Sequence, residues 1–144
     1  MTKSSGAENI RVYALSQISS LLDRVVYHVS RAAKSPDEKR VHEARVSIRR
    51  FVQALRFFRQ FIPGEPSKRI RKRLKSIMNL SAEVRSRDIA LHLLEESEAP
   101  DRTGVRKRME LERKVSMKEL AAALRRLNRR NYSVKWRESL RLEA

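Results

Sequence analysis

The sequence predicts an all-α protein, an antiparallel four-helix bundle of long helices with a short C-terminal helix or tail, in one domain of residues 1–144. Apolar residues recur at helical spacing along most of the chain, and no segment shows the alternating pattern of a strand. Breaks are few, because the chain holds only three glycines and four prolines, and it has no cysteine. Short links between long amphipathic helices favour antiparallel neighbours. A disulfide scaffold and a cysteine-bearing zinc site are excluded.

The first helix is predicted at about residues 6–33. Ser5 followed three residues later by Glu8 has the spacing of a capping box, which satisfies backbone N–H groups at a helix start. The face that we expect to be buried carries Leu15, Ile18, Leu22, Val25 and Val29.

The second helix is predicted at 36–62. Ser35 is the expected N-cap, with Pro36 in the first turn and Glu38 three residues after the cap. Pro63, followed by a glycine, is expected to end this helix.

Two further helices complete the predicted bundle, at about 66–98 and 102–131, with the break in "EAPDRTG" between them. The last residues, 132–144, include Trp136, and their pattern fits a short helix, an arm or an ordered tail. The third helix has one face made of Ile70, Leu74, Ile77, Ser81, Val84 and Leu91.

The charge balance points to a polyanionic partner. Thirty-four Lys and Arg against seventeen Asp and Glu give a net charge of +17 and a pI near 11.3. Nucleic acid, an anionic membrane and polyphosphate are the candidates, and charge alone does not choose among them. No apolar run approaches the roughly 20 residues that span a bilayer, and the N-terminus lacks the hydrophobic segment of a secretory signal. We therefore expect a cytoplasmic protein that does not bind a membrane.

A row of basic residues runs along the second helix, beside its apolar seam. The seam falls in an arc roughly 80° wide and consists of Ala44, Ile48, Phe51, Leu55, Phe58 and Ile62. A second arc of similar width, centred roughly 140° from the first, carries His42, Arg45, Arg49, Gln53 and Arg56. This second row, the basic stripe, extends about 21 Å at 1.5 Å per residue. Arg50 lies to one side of the stripe and Arg59 to the other.

The alternative interpretation of the stripe is a charged face turned to water. A solvated face normally mixes signs, because like charges four residues apart repel, whereas no acidic residue occurs between Arg45 and Gln60. Guanidinium groups also bind phosphate oxygens in pairs. We interpret the stripe as a phosphate-binding surface to which His42 contributes a donor. A metal site is not expected, because His28 and His92 are far from His42 in the sequence.

The stretch "VHEARVSIRRFVQALRFF" resembles the CHAD family, the conserved histidine α-helical domain. The family pattern reads approximately V-H-x-x-R-V-x-x-R-R-hydrophobic-x-x-x-L-R-x-F, and it is matched by Val41, His42, Arg45, Val46, Arg49, Arg50, Leu55, Arg56 and Phe58. Downstream, Leu74 and Lys75 are followed by "SAEVRSRDI", which is similar to the family's L-G-x-V-R-D-x-D-V. Arg85 and Asp88 remain there, while Ala82 replaces the glycine and Ser86 replaces the first aspartate.

The resemblance implies a helical domain that binds inorganic polyphosphate through a basic surface. Together, the stripe and the resemblance predict a site made of His42, Arg45, Arg49, Arg50, Arg56, Lys75 and Arg85. The basic run at the start of the third helix adds Lys68, Arg71 and Lys72 as further candidates. No catalytic residue, cofactor or metal is predicted, and location at polyphosphate granules is a further expectation. Family members usually contain two similar bundles, whereas this chain has motifs for one, so we expect a homodimer that restores a two-bundle groove.

The stretch "ELERK" spells the E-x-E-x-K motif of the CYTH enzymes that often accompany this family. In those enzymes, the motif resembles alternating strand positions lining a metal–triphosphate tunnel. Here Glu110, Glu112 and Lys114 fall within a predicted helix, with Glu110 and Lys114 four residues apart on its surface. We interpret the match as coincidence.

Two other functions stay open. Nucleic-acid binding through the same surface is the main alternative, and the net charge of +17 predicts at least weak, non-specific binding. Against specific recognition, Phe51 and Phe58 fall on the core seam, where they cannot stack on bases. No helix-turn-helix signature is present. The third possibility, an enzyme acting on short-chain polyphosphate or triphosphate, rests on "ELERK" alone.

Overall fold

The predicted all-α fold is confirmed by a computed structural model, which describes residues 2–97 and 104–142, with side chains from residue 6 onward. No strand occurs within these ranges. The elements are α1 (Thr2–Lys34), α2 (Glu38–Phe57), a 3-10 turn (Arg59–Phe61), α3 (Gly64–Glu96), α4 (Val105–Arg129) and α5 (Tyr132–Ser139). Because α1 and α3 each pack against both α2 and α4, the four long helices form a bundle. Within the described residues, no helix is both long and apolar enough to cross a membrane.

The core lies on the apolar faces that the sequence predicts. Leu22 of α1, Phe51 of α2, Leu74 of α3 and Leu124 of α4 are all at most 1% exposed. Three residues of the predicted faces are only half-buried: Leu15, Phe58 and Leu91. The amphipathic spacing of the chain therefore fixes which side of each helix faces its neighbours.

The predicted starts of the first two helices are wrong. α1 already begins at Thr2, so Ser5 lies inside the helix and is not its N-cap. In α2 the N-cap is Asp37 instead of Ser35, because the Asp37 carboxylate accepts the backbone N–H of Arg40 at 2.8 Å. The Ser35 carbonyl instead accepts the Asp37 N–H at 2.9 Å in the preceding turn. Ser35 and Asp37 both have side chains that can cap a helix. Asp37 forms the cap because it directly precedes the first helical residue, Glu38.

Replacing Asp37 by alanine is expected to lower the free energy of unfolding by about 1 kcal/mol, the usual cost of losing an N-cap. Ser35→Ala is the matched control and should leave stability nearly unchanged. Urea denaturation of the two variants measures the difference. Equal losses in both would contradict the assignment of the cap.

Prolines and one glycine set the remaining boundaries. α2 ends at Phe57, earlier than expected. Ile62 is extended, with φ −129° and ψ 153°, because the residue before a proline avoids the helical conformation. α3 begins at Gly64 and accommodates Pro66 in its first turn, where no N–H is needed. Before α4, Gly104 has φ +69°, in the left-handed region that favours glycine.

The C-terminal residues form a helix, α5, that packs on one end of the bundle. The Trp136 ring lies parallel to the Phe51 ring, with centroids 6.2 Å apart. The guanidinium of Arg137 donates to the Ser19 hydroxyl and to the Asp23 carboxylate of α1. Of the three alternatives for this segment, the short helix is therefore correct.

At the opposite end, α3 and α4 continue past the core. The last buried residue of α3 is Val84, and the first buried residue of α4 is Ser116. Among the described residues, two ion pairs connect the helices there. One joins Arg87 to Glu112 at 2.7 Å, and the other joins Arg113 to Asp88. We call residues 85–97 and 105–115 the outer hairpin. Polar contacts replace a buried core within it.

Candidate anion-binding site

A cleft of about 570 Å³ lies between the first turns of α2 and the C-terminal half of α3, with Met117 of α4 also lining it. We call it the α2–α3 cleft. Its basic lining residues are Lys39, His42, Arg45, Arg85 and His92. Val41, Val84 and Ile89 contribute apolar walls. Since α2 and α3 are antiparallel, residues that are about 40 positions apart in the sequence (compare Arg45 with Arg85) meet in this cleft.

Arg45 is the least exposed of the basic residues that line the cleft. It is half-buried, and its Nε is buried without a hydrogen-bond partner among the described residues. Burial lowers the pKa of Arg45, and the positive charges of Arg85 and Arg49 lower it further. Arg45 therefore lies within electrostatic reach of one guanidinium on its own helix and of another on α3.

These three cations form no ion pair with the acidic residues that the structure describes. In the part of the chain that the structure describes, no carboxylate lies within ion-pair distance of Arg45, Arg49 or Arg85. Their mutual repulsion costs free energy in a partly buried setting, where water screens it less. A bound polyanion would remove that cost and fill the vacant donor positions on each guanidinium.

The cleft also contains three acidic residues, Asp37, Glu38 and Asp88. Asp88 accepts from Arg113 of α4, the second ion pair of the outer hairpin. Asp37 caps α2 and lies 3.5 Å from Arg40. These two carboxylates therefore have cationic or N–H partners other than Arg45 and Arg85. Glu38 lies exposed in the first turn of α2.

The other predicted residues extend from the cleft or lie away from it. Arg49 and Arg56 are exposed and continue the stripe along α2. On α3, Arg71, Lys75 and Arg85 fall within an arc of about 80°, so a second basic row borders the same interhelical groove. The Nε of Arg71 is buried without a partner among the described residues, as in Arg45.

Lys68 is exposed near the start of α3 and lies about 20° round the helix from Lys75, so it continues this second row. Two predicted residues do not join this groove. Arg50 is exposed and lies about 100° round α2 from Arg49. Lys72 lines a different cleft, between α3 and α5.

Two basic lining residues, Lys39 and His92, are not among the predicted site residues. Lys39 precedes His42 by about one turn, and His92 follows Arg85 by seven residues, two turns along the same face. In the sequence, the signal for these two residues is their helical spacing from His42 and Arg85. The packing of α2 against α3 places His92 and His42 in one cleft although 50 positions separate them in the sequence. Among the described residues, no group of three or more His, Asp or Glu side chains could hold a metal ion.

The "ELERK" stretch lies within α4, so its predicted helical conformation is confirmed. Glu110, Glu112 and Lys114 are all exposed. Glu112 accepts from Arg87 of α3 at 2.7 Å, and its carboxylate thus connects the two helices.

The fold and the cleft together define an all-α domain with a basic groove between two of its helices. The family model for the CHAD domain matches residues 16–143. The chain therefore belongs to the CHAD family, and the match extends well beyond the two motifs that carry the sequence resemblance. No curated protein and no solved structure matches the chain at a significant level.

Proposed function

We propose that this protein binds inorganic polyphosphate in the groove between α2 and α3 and performs no catalysis on it. The observation that carries the proposal is the half-buried guanidinium of Arg45, which interacts with the charges of Arg49 and Arg85 and has no acidic ion-pair partner among the described residues. Membership of the CHAD family, which is known for polyphosphate binding, supports the same ligand.

Binding would follow from three properties of the groove. Arginine forks bind phosphate oxygens in pairs, which favours a ligand with a phosphate at every repeat. Release of counterions condensed on the polyanion adds a favourable entropic contribution. The apolar walls formed by Val84, Ile89 and Met117 lower the local dielectric constant and strengthen each charge contact.

The arrangement of aromatic residues favours polyphosphate over nucleic acid. Sequence-tolerant binding of single strands uses aromatic rings on which bases stack. Phe51 is fully buried, and the exposed ring of Phe57 contacts Phe58 and does not line the cleft. Nucleic acid is therefore expected to bind weakly and without sequence preference.

Competitive titration tests the ligand. Long-chain polyphosphate, duplex DNA and RNA are titrated into the protein at matched phosphate concentration and near-physiological salt. Polyphosphate is expected to bind most tightly and to displace both nucleic acids. Equal or tighter binding of DNA or RNA would overturn the proposal in favour of the nucleic-acid alternative.

We also propose that two copies of the chain associate, in keeping with the two-bundle architecture of complete family members. The outer hairpin exposes apolar side chains, among them Leu93 at 62% and Leu111 at 56%. The charge of the outer hairpin is also nearly balanced, since its seven Lys and Arg and five Asp and Glu contribute only +2 to the chain's net charge of +17. Repulsion between two chains is therefore weaker at this end of the molecule.

Light scattering coupled to size exclusion measures the assembly, with and without polyphosphate. The expected mass is that of a dimer, at least when polyphosphate is present. Leu93→Ser together with Leu111→Ser should return the mass to that of a monomer. A monomeric mass for the unaltered protein under both conditions would refute the association.

We propose that the protein is located in the cytoplasm at polyphosphate granules, because its proposed ligand, inorganic polyphosphate, accumulates there. Fluorescence microscopy of a tagged chain tests this location. Overlap with a polyphosphate stain is expected, and a uniform distribution in granule-containing cells would contradict it.

A further inference from the structure

A second group of unpaired cations lies on the other side of α3. Arg73 is two residues before Lys75, and therefore about 160° round the helix from it. There it comes within electrostatic reach of Arg126 and Arg130, at the C-terminal end of α4. We call Arg73, Arg126 and Arg130 the α3–α4 cluster. The body of α3 separates it from the α2–α3 cleft.

The α3–α4 cluster has the same electrostatic character as the first site. Arg73 is half-buried, and burial, Arg130 and Arg126 all lower its pKa, in that order of effect. No carboxylate of the described residues lies within ion-pair distance of any of the three arginines. Arg126 and Arg130 are exposed, so their forks are accessible to a ligand from solution.

A cleft of about 550 Å³ adjoins the cluster and shares Arg73 with it. Arg69, Lys72 and Lys135 also line this cleft, and no acidic side chain does. The α2–α3 cleft, by contrast, contains three acidic residues. The buried indole of Trp136 forms part of the wall and joins the cleft to α5. Helices α3 and α5 thus bring cations to one concave surface, and Arg73 joins this surface to Arg126 and Arg130 of α4.

Ordinary helix electrostatics explain only part of this arrangement. Cations near a helix C-terminus interact favourably with its dipole, which accounts for Arg126 and Arg130. The dipole does not account for Arg69 and Arg73, which lie in the N-terminal half of α3. Because Arg73 is half-buried, its side chain cannot move freely into water to escape the neighbouring charges. A bound anion would compensate these charges.

We propose that the α3–α4 cluster, with Arg69 and Lys135 beside it, is a second anion-binding site that takes the phosphate groups of a polyanion. One chain then holds two phosphate-rich segments at once, one on each side of α3. This inference goes beyond the proposed function, since it rests on the cluster and its cleft and not on the α2–α3 groove. Long polyanions would be cross-linked as a result, even by a single protomer.

Isothermal titration with tripolyphosphate tests the second site, because so short an anion occupies one site without reaching the other. The full chain is expected to bind two equivalents at near-physiological salt. Arg126→Ala with Arg130→Ala should leave one equivalent. The matched control is Arg125→Ala with Arg129→Ala, which removes the same charge from the same helix end about 100° round the axis. This control should still bind two equivalents.

The result also separates this inference from the proposed function. Arg45→Ala with Arg49→Ala should remove the other equivalent and leave the second site occupied. If only the Arg126/Arg130 variant loses an equivalent, the α2–α3 proposal fails and the second site stands. If that variant keeps every equivalent of the unaltered protein, the second site is refuted.

A second variant guards against an effect of the substitutions on folding. Arg69→Gln with Lys135→Gln changes the cleft from α3 and α5 and should weaken binding at the second site at least tenfold. Its melting temperature without ligand should not fall, because the substitutions remove repelling charges. Unchanged binding in this folded variant would overturn the assignment. Right-angle scattering with long-chain polyphosphate should also rise less for the Arg126/Arg130 variant than for the unaltered chain, because the variant keeps only the α2–α3 sites.

Discussion

Replacing Arg45 and Arg49 together by alanine is expected to abolish binding of polyphosphate in the α2–α3 groove and to leave the fold intact. The variant would lose, for each arginine, charge-assisted hydrogen bonds worth about 1.5–3 kcal/mol. The pair should therefore cost about a hundredfold or more in the affinity of that groove. Stability should hardly change, because Arg49 is exposed and Arg45 is half-buried among like charges. Titration with long-chain polyphosphate measures the affinity, and circular dichroism measures the melting temperature.

The control for this variant is Arg11→Ala with Arg24→Ala. Both residues are exposed on α1, so the substitution removes the same charge from another helix. The control should bind polyphosphate nearly as well as the unaltered protein. Two results would contradict the site: a large loss of helicity in the Arg45/Arg49 variant, or equal loss of binding in the control.

Phe51→Ala is expected to have the largest effect on stability. The Phe51 side chain is fully buried and stacks on Trp136 of α5, so its removal leaves a cavity between α2 and α5. The typical cost is about 3–5 kcal/mol, a large part of the free energy of unfolding of a single domain. Urea denaturation followed by circular dichroism measures the loss.

Phe58→Ala is the comparison for Phe51→Ala. Phe58 belongs to the same predicted seam, but it follows the last residue of α2 and is only half-buried. Its removal should therefore destabilise the protein by less than that of Phe51. If Phe51→Ala kept full stability and lost polyphosphate binding, the core and ligand faces of α2 would be the reverse of those described.

The sequence predicts the helices and their buried faces well because both depend on residues within a few turns of each other. The seam through Ile48, Phe51 and Leu55 is an example, and all three residues are at most 1% exposed. The N-cap of α2 is predicted wrongly because Ser35 and Asp37 both have capping side chains. The cap forms at Asp37, which directly precedes the first helical residue and accepts the Arg40 N–H.

Features that depend on distant parts of the chain could not be predicted in the same way. The conformation of α5 depends on Phe51 and on Asp23, which is 114 positions before Arg137. At the binding site, the stripe of α2 is visible as a local pattern. The place of His92 beside it follows from the packing of two antiparallel helices, which local spacing does not determine.

The outer hairpin gives the molecule two regions with different opening behaviour. Residues such as Leu22, Phe51 and Leu74 can expose their amides only when the whole bundle unfolds. Segments with few buried apolar contacts open locally at much lower free energy. In hydrogen exchange, amides of residues 85–97 and 105–115 should therefore exchange well before those of the core. High salt should accelerate that exchange selectively, because it screens the ion pairs that join the hairpin.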